Sequence, residues 1–208
     1  MNKNVADQIS RIYYYTIGRF IEAGSLYRID LEHYQLLPCS INRDKYEFFV
    51  TDKYILGLDK HYEQVKGKNL LVIQNFETGK YLCFAYLDKQ NQEIAYTRWI
   101  CKNEFYSDVL NKQLIFKPNE ILTLDSYTKP SYRGQHLHRD MNIEMLNWLK
   151  LQQEYRYVYM VIKSFIPYLT KYPKSLGYRR ILTKVRYKKG SISEFCKLVM
   201  RKLKRITA

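Results

Sequence analysis

Residues 123–141 read Thr-Leu-Asp-Ser-Tyr-Thr-Lys-Pro-Ser-Tyr-Arg-Gly-Gln-His-Leu-His-Arg-Asp-Met, and the segment runs on to Trp148. It opens as a strand, breaks at Lys129-Pro130 and turns through Tyr132-Arg133-Gly134. Leu137, Met141, Met145 and Trp148 then recur at spacings of three and four, which places them on one face of a helix. A strand, a short basic turn and a helix make a phosphate-binding arrangement, because the first helical turn has N–H groups without intrahelical partners and its dipole favours negative charge. Arg133 supplies a positive charge and Gly134 a flexible backbone at that turn.

Outward from this segment the chain alternates elements. Leu70–Phe76, Tyr81–Leu87 and Glu93–Cys101 read as strands separated by the polar turns 77–80 and 88–92, which predicts an antiparallel meander. Glu120–Thr128 is the strand of the opening segment, and its helix is expected from Arg133 or Gly134 to Gln153. Tyr155–Ile162 is apolar and rich in Tyr and Val, so a buried strand follows. The strand-helix-strand order makes these two strands parallel. A short helix over Phe165–Leu176 ends at Gly177, and Tyr178–Tyr187 returns as a strand.

Upstream, residues 5–23 carry apolar side chains at helical spacing, with Gly24-Ser25 as the stop. Leu26–Leu31 is extended, Pro38–Asp44 a loop and Lys45–Val50 a strand. A helix is expected around 54–65 and a short one near Phe105–Leu110. Residues 191–206 read as a final amphipathic helix with a basic face.

The 208 residues fit one domain with an appended helix, long enough to bury a sizeable core. The net charge of +15 asks for a polyanionic partner: nucleic acid, an anionic membrane, a phosphorylated cofactor or an acidic protein. The 21 tyrosines suit half-buried strand surfaces and also base stacking. No apolar run reaches the roughly 18 residues of a membrane span, and Met1-Asn2-Lys3-Asn4 leads into a polar helix unlike a signal peptide, so a cytoplasmic location is expected. Cys39, Cys83, Cys101 and Cys196 form no CxxC pair and read as free thiols, so no metal is expected.

The run Pro130-Ser131-Tyr132-Arg133-Gly134-Gln135-His136-Leu137-His138 resembles the pyrophosphate loop of the GCN5-related N-acetyltransferase (GNAT) superfamily. That family has a Pro and an aromatic followed by Arg-Gly-x-Gly-Ile/Leu-Gly/Ala opening a helix. Lys174-Ser175-Leu176-Gly177-Tyr178 resembles the family's later Lys-Leu-Gly-Phe, and the resemblance covers roughly residues 70–187. It implies an α/β (α+β) fold with a mostly antiparallel central sheet, a splayed parallel pair and flanking helices. Residues 1–190 would form the acyltransferase domain, with 1–66 shaping the acceptor and acyl pocket, and 191–208 the basic C-terminal helix. His136 stands where the family has Gly and His138 where it has Gly or Ala.

The activity so implied is transfer of an acyl group, acetyl or longer, to an amine of a small molecule or peptide. The donor is acetyl-CoA, another acyl-CoA, or the phosphopantetheine of an acidic acyl carrier protein. By this resemblance Arg133, Gly134, Gln135, His136, Leu137 and His138 hold the donor's phosphates, and the main chain of Ser126 and Thr128 pairs with the pantetheine arm. The N–H near Ser126 polarises the thioester carbonyl. Tyr172 is the first choice for the general acid, with Tyr168 in reserve, and Asp125 is the candidate base, with Glu93 as an alternative. A nucleic-acid-binding protein, an aminoacyl-tRNA-dependent relative and a catalytically degenerate member remain as alternatives, and the oligomer stays open between monomer and homodimer.

Overall fold

The computed structural model describes residues 21–53, 58–62, 79–163 and 167–187. The expected strand at 70–76, the final helix at 191–206 and Cys196 therefore lie outside the described residues, as does the N-terminal helix up to residue 20. The chain divides into two compact units, one of residues 28–106 and 113–160, the other of residues 1–27, 107–112 and 161–208.

The larger unit holds the opening segment. Its strands are β2 (Tyr46–Thr51), β3 (Tyr81–Asp88), β4 (Glu93–Cys101) and β7 (Glu120–Thr128), joined by the first residues of β8 (Tyr157–Lys163), in the order β2-β3-β4-β7-β8. The pairs β2/β3, β3/β4 and β4/β7 are antiparallel, and β7/β8 is parallel, as the strand-helix-strand reading requires. The structure is thus a mixed α/β fold with a mostly antiparallel sheet. Helix α1 (Leu58–Tyr62) covers one face of this sheet, where Leu58, Tyr62, Cys83, Ala85, Ile94 and Trp99 form a buried cluster.

Helix α2 (Leu137–Gln152) belongs to the opposite face. Trp148 meets Phe84 edge-on at 5.4 Å, and Met141, Met145 and Leu149 are fully buried. The same helix also buries Asp140, Asn142 and Glu144, which the apolar periodicity did not foretell. Asp140 Oδ1 accepts from the Ser40 hydroxyl at 2.8 Å, and Lys150 Nζ donates to the Leu31 carbonyl at 2.8 Å. Both charges suit their ends of the helix dipole, acidic first and basic last.

Two expectations are corrected. The stretch 105–110 is not helical: β5 (Glu104–Ser107) and β6 (Lys112–Ile115) form a two-stranded hairpin. Asn103 (φ 65°) and Asn111 (φ 45°) take the left-handed conformation that lets a chain reverse. Residues 21–23, expected at the end of a helix, begin β1 (Ile21–Asp30). Gly24 is a strand residue under close contact rather than a helix stop, since a Cβ there would stand 2.5 Å from Val109 Cγ1.

The smaller unit contains α3 (Pro167–Ser175) and β9 (Arg179–Tyr187), with β9 beside β1 in the strand order. The hydroxyls of Ser25 and Thr183 share a 2.7 Å hydrogen bond there. Gly177 (φ 91°) ends the turn after α3, as read from the sequence.

Candidate functional site

The turn between β7 and α2 is built in three steps. The Lys129 N–H donates to the Ala95 carbonyl at 3.0 Å, which keeps the end of β7 against β4. Pro130–Tyr132 then form a single 3-10 turn in which Tyr132 is buried and its hydroxyl accepts from Asn91 Nδ2 at 3.1 Å. Gly134 (φ 83°) and His136 (φ 58°) finally take the left-handed region, so α2 starts at Leu137 and not at Arg133 or Gly134 as expected. The N–H groups of Gly134, Gln135, His136 and Leu137 make no hydrogen bond to a described residue. They form a row of donors at the positive end of a 16-residue helix.

Positive φ at His136 gives a physical reason for the glycine that the resembling family carries at this place. The imidazole of His136 is exposed. Gln135 is anchored: its Oε1 accepts from the Tyr46 hydroxyl at 2.5 Å and from Lys45 Nζ at 3.2 Å, which ties the turn to the start of β2. Arg133 Nε donates back to the Thr128 carbonyl at 3.4 Å.

Strand β7 carries two irregularities. Between the pairs Arg98–Ser126 and Ile100–Thr123, β4 advances two residues and β7 three, so β7 has a bulge at Leu124-Asp125. The parallel ladder with β8 runs only from Glu120–Tyr157 to Thr123–Met160, although β7 continues to Thr128. A bulge bends its strand and increases the local twist. The ladder ends where the bulge begins.

His138 turns back toward the strands. Its Nδ1 lies 2.8 Å from the Tyr96 hydroxyl on β4 and 3.5 Å from Ser126 Oγ on β7. Asn142, one turn on, donates its Nδ2 to the His138 carbonyl at 2.5 Å. Desolvation around the ring, followed by the positive charge of Arg98, lowers the His138 pKa, although the residue as a whole is exposed. Arg98 itself is buried on β4, directly across from Ser126.

Beneath the same helix, Glu144 accepts from the Tyr86 hydroxyl at 2.7 Å and pairs with Arg43. The Cys39 thiol lies 3.8 Å from the same carboxylate. Burial raises the thiol's pKa, and Glu144 and Asp140 raise it further, which keeps Cys39 protonated and unsuited to nucleophilic attack. Cys83 and Cys101 are buried free thiols whose pKa burial also raises.

The structure therefore brings Ser126, His138 and the main chain of residues 133–137 into one region of the larger unit. Thr128 is half-buried and linked to Arg133. Asp125 is exposed at the bulge, and Glu93 is paired with Lys129 at 2.6 Å. Tyr172, half-buried on α3, belongs to the smaller unit. Sequence reading did not find Tyr96, Arg98, Asn142 or Glu144. The signal for the strand pair was available, since Tyr96 and Arg98 stand two apart in a strand and so share a face. His61 was also missed. It lies buried on α1, with Nδ1 2.8 Å from the Ile94 carbonyl and Nε2 3.1 Å from Thr97 Oγ1.

No protein-family model matches the sequence, and no curated protein matches it. Solved structures do. A tandem GNAT protein from the clavulanic acid biosynthesis pathway aligns over 85% of this chain and 57% of its own, at 12% identity and a TM-score of 0.56. A GCN5-related N-acetyltransferase from Sphaerobacter thermophilus aligns over 87% and 56%, at 12% identity and 0.52. A GNAT-family acetyltransferase from Colwellia psychrerythraea aligns over 81% and 56%, at 12% identity and 0.51. The chain has the fold of the GCN5-related N-acetyltransferases. It spans a little over half the length of these three structures.

Proposed function

We propose that this protein is an N-acyltransferase that moves an acyl group from a CoA thioester directly to an amine. The observation that carries the reading is the end of the β7/β8 ladder at Thr123, together with the row of N–H donors at Gly134–Leu137 in the turn that follows β7. The donors suit a pyrophosphate, and the edge of β7 beyond the ladder suits an extended amide-bearing arm that pairs with a strand. Lys45, Arg133 and Arg139 add positive charge around the turn. Acetyl-CoA fits these requirements, and so do a longer acyl-CoA and the phosphopantetheine of an acidic carrier protein, which the net charge of +15 would attract.

In this reading the amine nitrogen attacks the thioester carbonyl carbon, and the carbon–sulfur bond breaks. The N–H at Ser126 stabilises the oxygen as charge develops on it. Asp125 takes a proton from the acceptor's ammonium so that the free amine can attack, and Tyr172 gives its proton to the departing thiolate and regains one from the nitrogen of the adduct. The Tyr172 assignment rests on its place shortly before Gly177 in the sequence resemblance. His138 holds the first turn of α2 against β4 and β7.

Isothermal titration of the purified protein with CoA and acetyl-CoA, followed by release of free thiol on addition of mixed amines, tests the reading. Saturable binding and amine-dependent thiol release are expected. Absence of binding for every CoA species, together with no thiol release, would overturn it.

A further inference from the structure

Arg98 is 5% exposed, and its guanidinium cannot shed its proton in a protein. A buried cation of this kind ordinarily faces a carboxylate. Among the described residues Arg98 makes no ion pair. Its Nε is buried without a hydrogen-bond partner among them. The acids of α2 are engaged elsewhere: Glu144 with Arg43 and Tyr86, and Asp140 with Ser40. Glu93 pairs with Lys129.

The placement of this cation is informative. Ser126, its direct cross-strand partner, lies beyond the end of the β8 ladder. Tyr96 stands two residues away on the same face of β4. Asn142 Oδ1, on the residue that clasps the His138 carbonyl, is a second buried atom without a partner among the described residues. An unmatched donor thus lies on β4, the strand of Tyr96, and an unmatched acceptor on α2, the helix of His138, the two elements that the Tyr96–His138 contact joins. This pattern asks for a group that accepts from the arginine.

We propose that Arg98 binds a carboxylate of a reacting small molecule, either on the acyl group of the thioester or on the amine acceptor. The proposal rests on the acyltransferase reading for the identity of the molecule. The ion pair itself is testable without it.

The test uses the full chain and an Arg98→Met variant, which keeps the side chain's length and removes its charge. Without ligand, Arg98→Met is expected to melt at the same temperature as the wild type or higher, because an uncompensated buried charge is lost. Succinate, with no CoA present, is expected to raise the melting temperature of the wild type and leave the variant unchanged. This arm stands even if CoA species fail to bind, an outcome that would sink the acyltransferase reading alone.

Two further arms locate the carboxylate. If it belongs to the acyl group, wild type binds succinyl-CoA about thirtyfold more tightly than acetyl-CoA, and Arg98→Met abolishes the preference. If it belongs to the acceptor, free amino acids release thiol from acetyl-CoA where their amides do not, and the variant loses that distinction. Succinate shifting both proteins equally or neither would overturn the proposal. So would an Arg98→Met protein that fails to fold or is markedly less stable, because the arginine would then be a structural element. So too would equal loss of acetyl-CoA and succinyl-CoA affinity in the variant.

Discussion

The hydroxyl of Tyr96 and Nδ1 of His138 meet at 2.8 Å and join the centre of β4 to the first turn of α2. Tyr96 is fully buried, so its hydroxyl depends on protein partners. Tyr96→Phe removes the contact without changing the ring. It is expected to lower unfolding free energy by about 1 kcal/mol, the net contribution of one part-buried hydrogen bond. Urea unfolding with an unchanged slope checks the stability change. If the first turn of α2 supports a phosphate, the same variant also weakens CoA binding in titration.

Acid sensitivity follows from His61. Its ring lies in a chain of hydrogen bonds: Trp99 Nε1 donates to the Tyr62 hydroxyl at 2.6 Å, Tyr62 and Thr97 share a bond at 2.5 Å, and Thr97 faces His61 Nε2. If Nδ1 donates to the Ile94 carbonyl, Nε2 must accept, and the ring is neutral. Burial pushes its pKa down to about 4, and Lys129 contributes in the same direction. The unfolded chain protonates this histidine near pH 6.5, and the folded chain does so only near 4. Stability is therefore fully present above about pH 6.5, falls as pH drops toward 4, and levels off below. The loss from His61 is about 3 kcal/mol over that window. Chemical denaturation at a series of pH values measures the slope, and His61→Gln should flatten it.

Gly134 and His136 give opposite expectations from one cause. Both have positive φ, and nothing lies within 4 Å of a Cβ built on Gly134. Gly134→Ala is thus a conformational penalty without a clash, expected to cost about 1–2 kcal/mol. His136→Gly relieves the same kind of strain and is expected to gain up to about 1 kcal/mol. Thermal melts of the two variants, side by side, give the signs.

Asp125 is exposed at the bulge of β7, where a carboxylate can both accept a proton and return it to solvent. If it is the base, Asp125→Asn lowers kcat/KM by about 10²–10⁴ and leaves acetyl-CoA affinity within about twofold. The acidic limb of the pH–rate profile should move with it. Unchanged kcat/KM would remove Asp125 from the reaction.

The parts of the fold that could be read from the sequence were those with clean local signals. β4 and β7 fall on Glu93–Cys101 and Glu120–Thr128 because polar turns bracket them, and the parallel partner followed from the helix between β7 and β8. The start of α2 was misplaced because Gly134 and His136 bend the chain before the helix begins, and only glycine advertises that in a sequence. The β5/β6 hairpin was hidden because its turn uses Asn111 where a Gly is the familiar marker. At the site, the turn was legible through Arg133-Gly134, whereas Arg98 was not. An arginine in an alternating strand reads as an outward residue, and only the packing of α2 on that face shows it is buried. The network of Glu144, Tyr86, Arg43 and Cys39 joins residues far apart in sequence, so no local pattern could announce it.

The bond from Tyr46 to Gln135 has a consequence for how fast and how selectively the turn can work. A side chain in the middle of the turn is already fastened to β2, so the shape of the donor row is set before any ligand arrives. Much of the ordering entropy that a floppy phosphate loop would surrender on capture is here lost once, during folding. Capture by such a loop should be governed by encounter rather than by loop closure, and untying Gln135 should slow association more than it hastens escape.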